Sequence, residues 1–131
     1  MAGFRDLKVW QKSKELAVDI YRVTQTDKFS KDFGFKDQIR RAAVSIPSNI
    51  AEGDERGSNR ESVRFFYIAK GSLAELQTQL EIARDIGYLD QGTLKDLNEK
   101  CTTVGKMLGS LIKARSKRDQ KVKRPGDDVD R

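Results

Sequence analysis

Apolar side chains recur along this chain at intervals of three and four. That spacing keeps one face of an α-helix turned towards a core. In the first stretch, from about Asp6 to Thr26, the apolar set is Trp10, Leu16, Ala17, Ile20, Tyr21 and Val23, and Asp6 stands where it can cap the start. A connection containing Phe29, Phe33 and Phe35 follows, which reads as a loop laid over one end of a core. The second stretch, about Phe35 to Glu52, carries Phe35, Ile39, Ala42, Ala43, Ile46 and Ile50.

That second stretch contains Pro47. Proline has no N–H to donate to the carbonyl four residues back, and its ring clashes there, at a cost of about 3 kcal/mol in a straight helix. The apolar phase nevertheless runs from Ile39 through Ile46 to Ile50 without a break. The prediction is one helix kinked at Pro47, not two helices. Ser45, Ser48 and Asn49 are short polar side chains able to bond backbone groups that the proline leaves free. Gly53 suits the position just past the helix end.

The third stretch runs from about Asn59 to Ile86. Ser58 and Glu61 fit a capping box at its start, and Gly87 ends it. Phe66, Ala69, Leu73, Leu76, Leu80 and Ala83 form its seam. Phe65, Ile68, Ile82 and Ile86 lie off that seam and need a cover of their own. The cover is either a neighbouring subunit or the second helix and Phe-rich connection of the same one. The fourth stretch, about Thr93 to Arg115, carries Leu94, Leu97, Cys101, Val104, Leu108 and Leu111, with Asp90 as a cap. Four amphipathic stretches on short connections predict an all-α, antiparallel up-down-up-down four-helix bundle over residues 1–115. Residues 116–131 are polar and aperiodic and are expected to form a basic, disordered tail.

Composition narrows the chemistry. The chain has no histidine. This removes the commonest general base and metal ligand, the Glu-x-x-His di-iron pattern, every Ser-His or Cys-His pair, and the helical ribonucleases that use Arg-x-x-x-x-His. No Walker A or GxGxxG pattern is present. Glu52, Asp54 and Glu55 cluster, but nothing in the sequence fixes them as metal ligands, so no cofactor and no enzymatic activity are expected. Cys101 lies on a core seam and reads as a small buried residue. With one cysteine, no apolar signal region and no run of membrane-spanning length, the cytoplasm is the expected compartment, with no membrane partner.

The net charge of +6 is uneven: residues 1–112 hold 18 basic and 16 acidic side chains, and residues 113–131 hold 8 and 4. The body is therefore nearly neutral. Two groups of cations are candidates for phosphate contact. One is Arg40 and Arg41 before the proline motif with Arg56, Arg60 and Arg64 after it, set against ion pairing with the carboxylates among them. The other is Lys113, Arg115, Lys117, Arg118, Lys121, Lys123 and Arg124, set against a merely solubilising role.

Three segments together are distinctive: "FRDLKVWQKSKELAVDIY", "QIRRAAVSIPSNIAEG" and "IAKGSLAELQTQLEIARDIGYL". They resemble the four-helix-bundle proteins encoded within intervening sequences of bacterial 23S rRNA genes, from about Phe4 to Leu111. Ser30 departs from the proline usual there, which leaves that connection less rigid. The resemblance implies a left-handed bundle and a ring-shaped homopentamer. A more distant likeness is to the pentameric accessory protein of diversity-generating retroelements, which binds nucleic acid and a reverse transcriptase. The function expected on these grounds is a non-enzymatic scaffold associated with RNA or another nucleic acid. The alternative is an adaptor that recruits a protein such as a reverse transcriptase or nuclease.

Overall fold

The three-and-four spacing folds as helix throughout. The computed structural model of the protein describes residues 3–121, with side chains as far as residue 117. A 3-10 turn at Phe4–Asp6 leads into α1 (Lys8–Val23), α2 (Asp27–Lys31), α3 (Phe33–Asp54), α4 (Asn59–Asp85) and α5 (Gln91–Lys121). Among the described residues there is no strand. The four long helices pack in a closed cycle: α1 lies against α3 and α5, and α4 lies against α3 and α5.

The seams meet in one core. Leu16 and Ile20, Ile39, Ile46 and Ile50, Phe66, Leu76 and Leu80, and Leu97, Val104 and Leu108 are all fully buried. Each such side chain contributes about 1.5–3 kcal/mol relative to exposure. Two predicted caps are present. Ser58 Oγ accepts from the Glu61 N–H at 3.3 Å, and Asp90 Oδ1 from the Thr93 N–H at 2.7 Å. That bond to the Thr93 backbone holds the Asp90 carboxyl below its ordinary pKa. Gly87, at φ 85°, takes the left-handed turn after α4. Asp6 does not cap α1; it lies in the 3-10 turn, and Leu7 occupies the cap position without a side-chain bond.

The Phe-rich connection is more ordered than a covering loop. Phe29 sits in the short helix α2, fully buried, and its ring stacks on Phe35 at 5.4 Å and lies 5.2 Å from Tyr88. The Tyr88 hydroxyl donates to Asp32 Oδ2 at 2.9 Å, while Asp32 Oδ1 accepts from the Phe35 N–H and caps α3. Phe33 takes no part in the cover: it is 73% exposed, with the Lys36 ammonium 4.9 Å from its ring. Tyr21 also falls outside the core, at 40% exposure. Its position meets the helical phase but lies at the edge of the buried face.

α3 is continuous across Pro47, which is itself buried. The polar side chains around it do not serve the carbonyl that the proline leaves free, that of Ala43. Asn49 Nδ2 donates instead to the Ser45 carbonyl at 2.8 Å and contacts Ser45 Oγ at 2.9 Å. Ser45 Oγ lies 2.8 Å from Ser72 Oγ and ties α3 to α4. Gly53 lies inside α3, not past its end. A Cβ there would sit 2.6 Å from Phe66 Cε1 and 2.9 Å from the Ser62 carbonyl oxygen. Ser62 Oγ donates to the Gly53 carbonyl at 2.6 Å across the same contact. The glycine serves close approach of two helices. Helix α5 continues through Lys121, six residues past the end predicted at Arg115. Lys, Arg and Gln, which dominate that extension, are good helix formers.

Gly53→Ala should therefore destabilise the protein by about 1–3 kcal/mol through overpacking. The midpoint of denaturant unfolding measures it, and an unchanged midpoint would show that the two helices can part freely at this point.

Candidate nucleic-acid interface

One end of the bundle gathers the start of α1, the α3–α4 connection and the later turns of α5. Arg115 Nη2 meets Asp54 Oδ1 at 2.7 Å, and both side chains are about six-sevenths buried, at 14% and 15% exposure. The guanidinium also lies 5.4 Å from the Phe66 ring centre. Arg115 is thus a tether between α5 and α3, not a free tail cation. Lys113 and Lys117 flank it on the same helix and are exposed. Arg118 and Lys121 fall within helix α5, but their side chains lie outside the described residues, as do Lys123 and Arg124 altogether.

The predicted five-arginine group divides. Arg56, Arg60 and Arg64 are exposed at the α3–α4 connection. Arg56 Nη2 bonds Glu52 Oε2 at 2.6 Å, and its guanidinium lies 4.4 Å over the Phe65 ring; that of Arg64 lies 5.7 Å from the same ring. Arg40 and Arg41 are elsewhere. Arg56 lies fifteen positions beyond Arg41, about 22 Å along a helix. Arg40 Nε donates to Thr24 Oγ1 at 2.8 Å and its guanidinium stacks 4.3 Å over Tyr21, closing the end of α1. Arg41 pairs with Asp37 on an exposed face at 2.8 Å.

A second cation–aromatic cluster joins the first end. The Arg5 guanidinium lies 4.6 Å over Phe4, whose ring meets Trp10 edge-on at 5.1 Å, and the Lys14 ammonium is 5.3 Å from the Trp10 ring. Such contacts are worth about 0.5–1 kcal/mol each when exposed. Trp10 packs against the core, partly buried, as its helical phase predicts; the apolar pattern does not single out Phe4, Arg5 and Lys14. The overlooked signal was the pairing of each ring with a cation one or four residues away. Phe4 also faces a cleft of about 520 Å³ shared with Ser48, Ala51, Glu52, Glu55 and Arg56.

The remaining polar groups are mostly spoken for. Of the clustered carboxylates, Glu52 holds Arg56 and Asp54 holds Arg115. Among the described residues no group of His, Cys, Asp or Glu is placed to hold a metal ion. Cys101 is buried, and burial pushes its thiol up to about 12. A cleft of about 560 Å³ between α1 and α5 has Leu16, Val18 and Val104 among its walls, and Lys12, Arg22 and Lys100 among its cations are ion-paired. There Lys100 Nζ lies 2.8 Å from Asp19 and 3.4 Å from Asp96, and the Asp19 hydrogen bond raises the Lys100 pKa.

The four apolar residues off the α4 seam also divide. Phe65 is half-buried beneath its two arginines. Ile68, Ile82 and Ile86 are 45%, 45% and 50% exposed, so neither α3 nor the Phe-rich connection covers them. Tyr67 on the same helix is 54% exposed.

Comparison with known proteins agrees with this architecture. The search of curated proteins found no match. The chain is similar to a protein of unknown function from Bacteroides thetaiotaomicron, of the S23 ribosomal protein family, known from a crystal structure. The two are 30% identical with a TM-score of 0.74, and the match covers 80% of this chain and 98% of that one. A family model described as 23S rRNA-intervening sequence protein matches residues 5–110. The chain belongs to the 23S rRNA-intervening sequence protein family.

Proposed function

We propose that this protein is a non-enzymatic cytoplasmic scaffold that associates with RNA through the charged bundle end and works as a homo-oligomer, a pentamer. The observation that carries the RNA reading is the gathering at one end of Arg5 beside Phe4 and Trp10, and of Arg56 and Arg64 over Phe65, with Arg60, Lys113 and Lys117 exposed on the helices that meet there. Cations neutralise phosphates, and partly exposed rings offer faces on which bases stack. The family's name, which refers to a sequence within ribosomal RNA genes, supports RNA over other polyanions.

The scaffold itself is read as a left-handed up-down-up-down bundle. Contacts that advance along one helix while retreating along the next support the antiparallel part. Between α3 and α4 these join Gly53 to Ser62 and Ser45 to Ser72; between α4 and α5 they join Leu73 to Gly105 and Glu81 to Asn98. The bundle domain ends near residue 115, and the chain beyond it is a basic extension. α3 bends at Pro47, where a ladder bond is missing. The stripe of Ile68, Ile82 and Ile86 is the subunit interface, since a ring needs an apolar face that one subunit leaves bare. The same stripe supports the adaptor alternative, in which a different protein covers it.

Three measurements separate these readings. Full-length protein should bind structured RNA at low salt and lose affinity steeply between 50 and 200 mM salt, by roughly 10³-fold or more for six or more phosphate contacts. A truncation after residue 117 retains the Arg115 tether and should bind measurably but more weakly; no binding by either form at low salt favours the adaptor. Light scattering should give a mass several times the 14.9 kDa chain, falling to a monomer in Ile82→Asp. A monomeric wild type would remove the ring. Pro47→Ala restores the missing bond and should change bundle stability by about 1 kcal/mol or more, or alter oligomer size. If both stay unchanged, the bend has no architectural role.

A further inference from the structure

We propose that the cleft between Phe4 and the end of α3 is a pocket for one unpaired guanine base of a bound RNA. The inference rests on the RNA-scaffold reading and adds to it a base-specific contact. The cleft, about 520 Å³, lies within the size range of ligand pockets. Its wall is made by Phe4, Ser48, Ala51, Glu52, Glu55 and Arg56.

The wall's one cation, Arg56, is paired with Glu52, so Glu55 leaves the wall net negative and ill suited to phosphate. Glu52 and Glu55 are carboxylates, and the last turns of α3 add the negative end of the helix dipole, where unpaired carbonyls collect. A group entering here must be flat and must donate hydrogen bonds. Nucleobases are flat, and guanine presents two adjacent N–H donors, N1–H and N2–H, on its Watson–Crick edge. A carboxylate accepts both at once. Arg56 already occupies Glu52 at 2.6 Å. Glu55 is exposed, caps the end of α3 through its backbone, and has no ion-pair partner among the described residues. It is therefore the acceptor.

Phe4 supplies the stacking surface, with Arg5 over its ring at 4.6 Å and Trp10 bracing its edge at 5.1 Å. A base can stack on an aromatic ring or on a guanidinium plane. The phosphates on either side of the extruded base then run over the cations outside the cleft. An acidic, aromatic pocket inside a basic rim separates the two halves of a nucleotide by charge. A duplex cannot use it, because its guanine edges are already paired.

The test uses full-length protein and oligouridylates of one length carrying a central guanosine, inosine or adenosine. Trp10 is the chain's only tryptophan and touches Phe4, so its fluorescence follows binding at the cleft without a label. The guanosine oligonucleotide should bind roughly 5- to 100-fold more tightly than the adenosine one, with inosine, which lacks the N2 amine, between them. Glu55→Gln should abolish that preference while leaving salt-sensitive binding in place. Phe4→Ala should weaken all three by losing the stack, and should reduce the guanosine advantage. Equal affinity for the three oligonucleotides in the wild type, or a guanosine preference that survives Glu55→Gln, overturns the pocket and leaves the scaffold reading standing. Failure to bind any of them, or duplex RNA, at low salt overturns both.

Discussion

The close approach of α3 and α4 at Gly53 is the constraint on which the charged end depends. With no side chain on Gly53, the Phe66 ring and the Ser62 backbone come within a distance that a methyl group would occupy. Ser62 then reaches the Gly53 carbonyl, and the turn between the helices is short. Phe66, fully buried at this contact, has Arg115 beside its ring. Arg115 in turn holds Asp54, one residue from the glycine. A chain of contacts thus runs from one glycine to the placement of α5. The exposed Lys113 and Lys117 take their positions from a tether that sits between them.

The same end shows why net charge is a poor guide to this molecule. Cations and carboxylates are nearly balanced over residues 1–112. Their arrangement is not even: Glu52 and Asp54 are each drawn into a pair, whereas Arg60, Lys113 and Lys117 are exposed. Phe65 between Arg56 and Arg64, and Phe4 beneath Arg5, hold guanidinium planes at the surface in defined positions. Charges fixed by aromatic rings lose less freedom on meeting a polyanion than charges on unrestrained side chains.

Much of the fold was legible in the sequence because helical phase is a local property. The seams of α4 and α5, the caps at Ser58 and Asp90 and the continuity through Pro47 all follow from spacings within one element. What was not legible depends on distances between elements. Arg40 and Arg56 look alike as neighbours of one motif, yet more than four helical turns part them, and Thr24 and Tyr21 claim Arg40. Phe33 and Phe29 sit in the same short segment, and only the latter finds the core. The end of α5 was placed too early because polar residues without apolar rhythm continue a helix when an anchored turn precedes them. Of the candidate site, the arginines after the proline motif were visible from composition. The Phe4–Arg5–Trp10–Lys14 cluster was not, because Trp10 satisfied the core pattern equally well.

Cys101 adds one last consequence. It is the chain's single thiol, fully buried on α5 where that helix meets the rest of the core. A thiol-specific reagent can reach it only when the packing around α5 opens. Its rate of modification is therefore a clock for that opening, kept by the molecule without any engineered probe. Run with and without a bound partner, the clock would register how firmly occupation of the distant charged end clamps the helix shut.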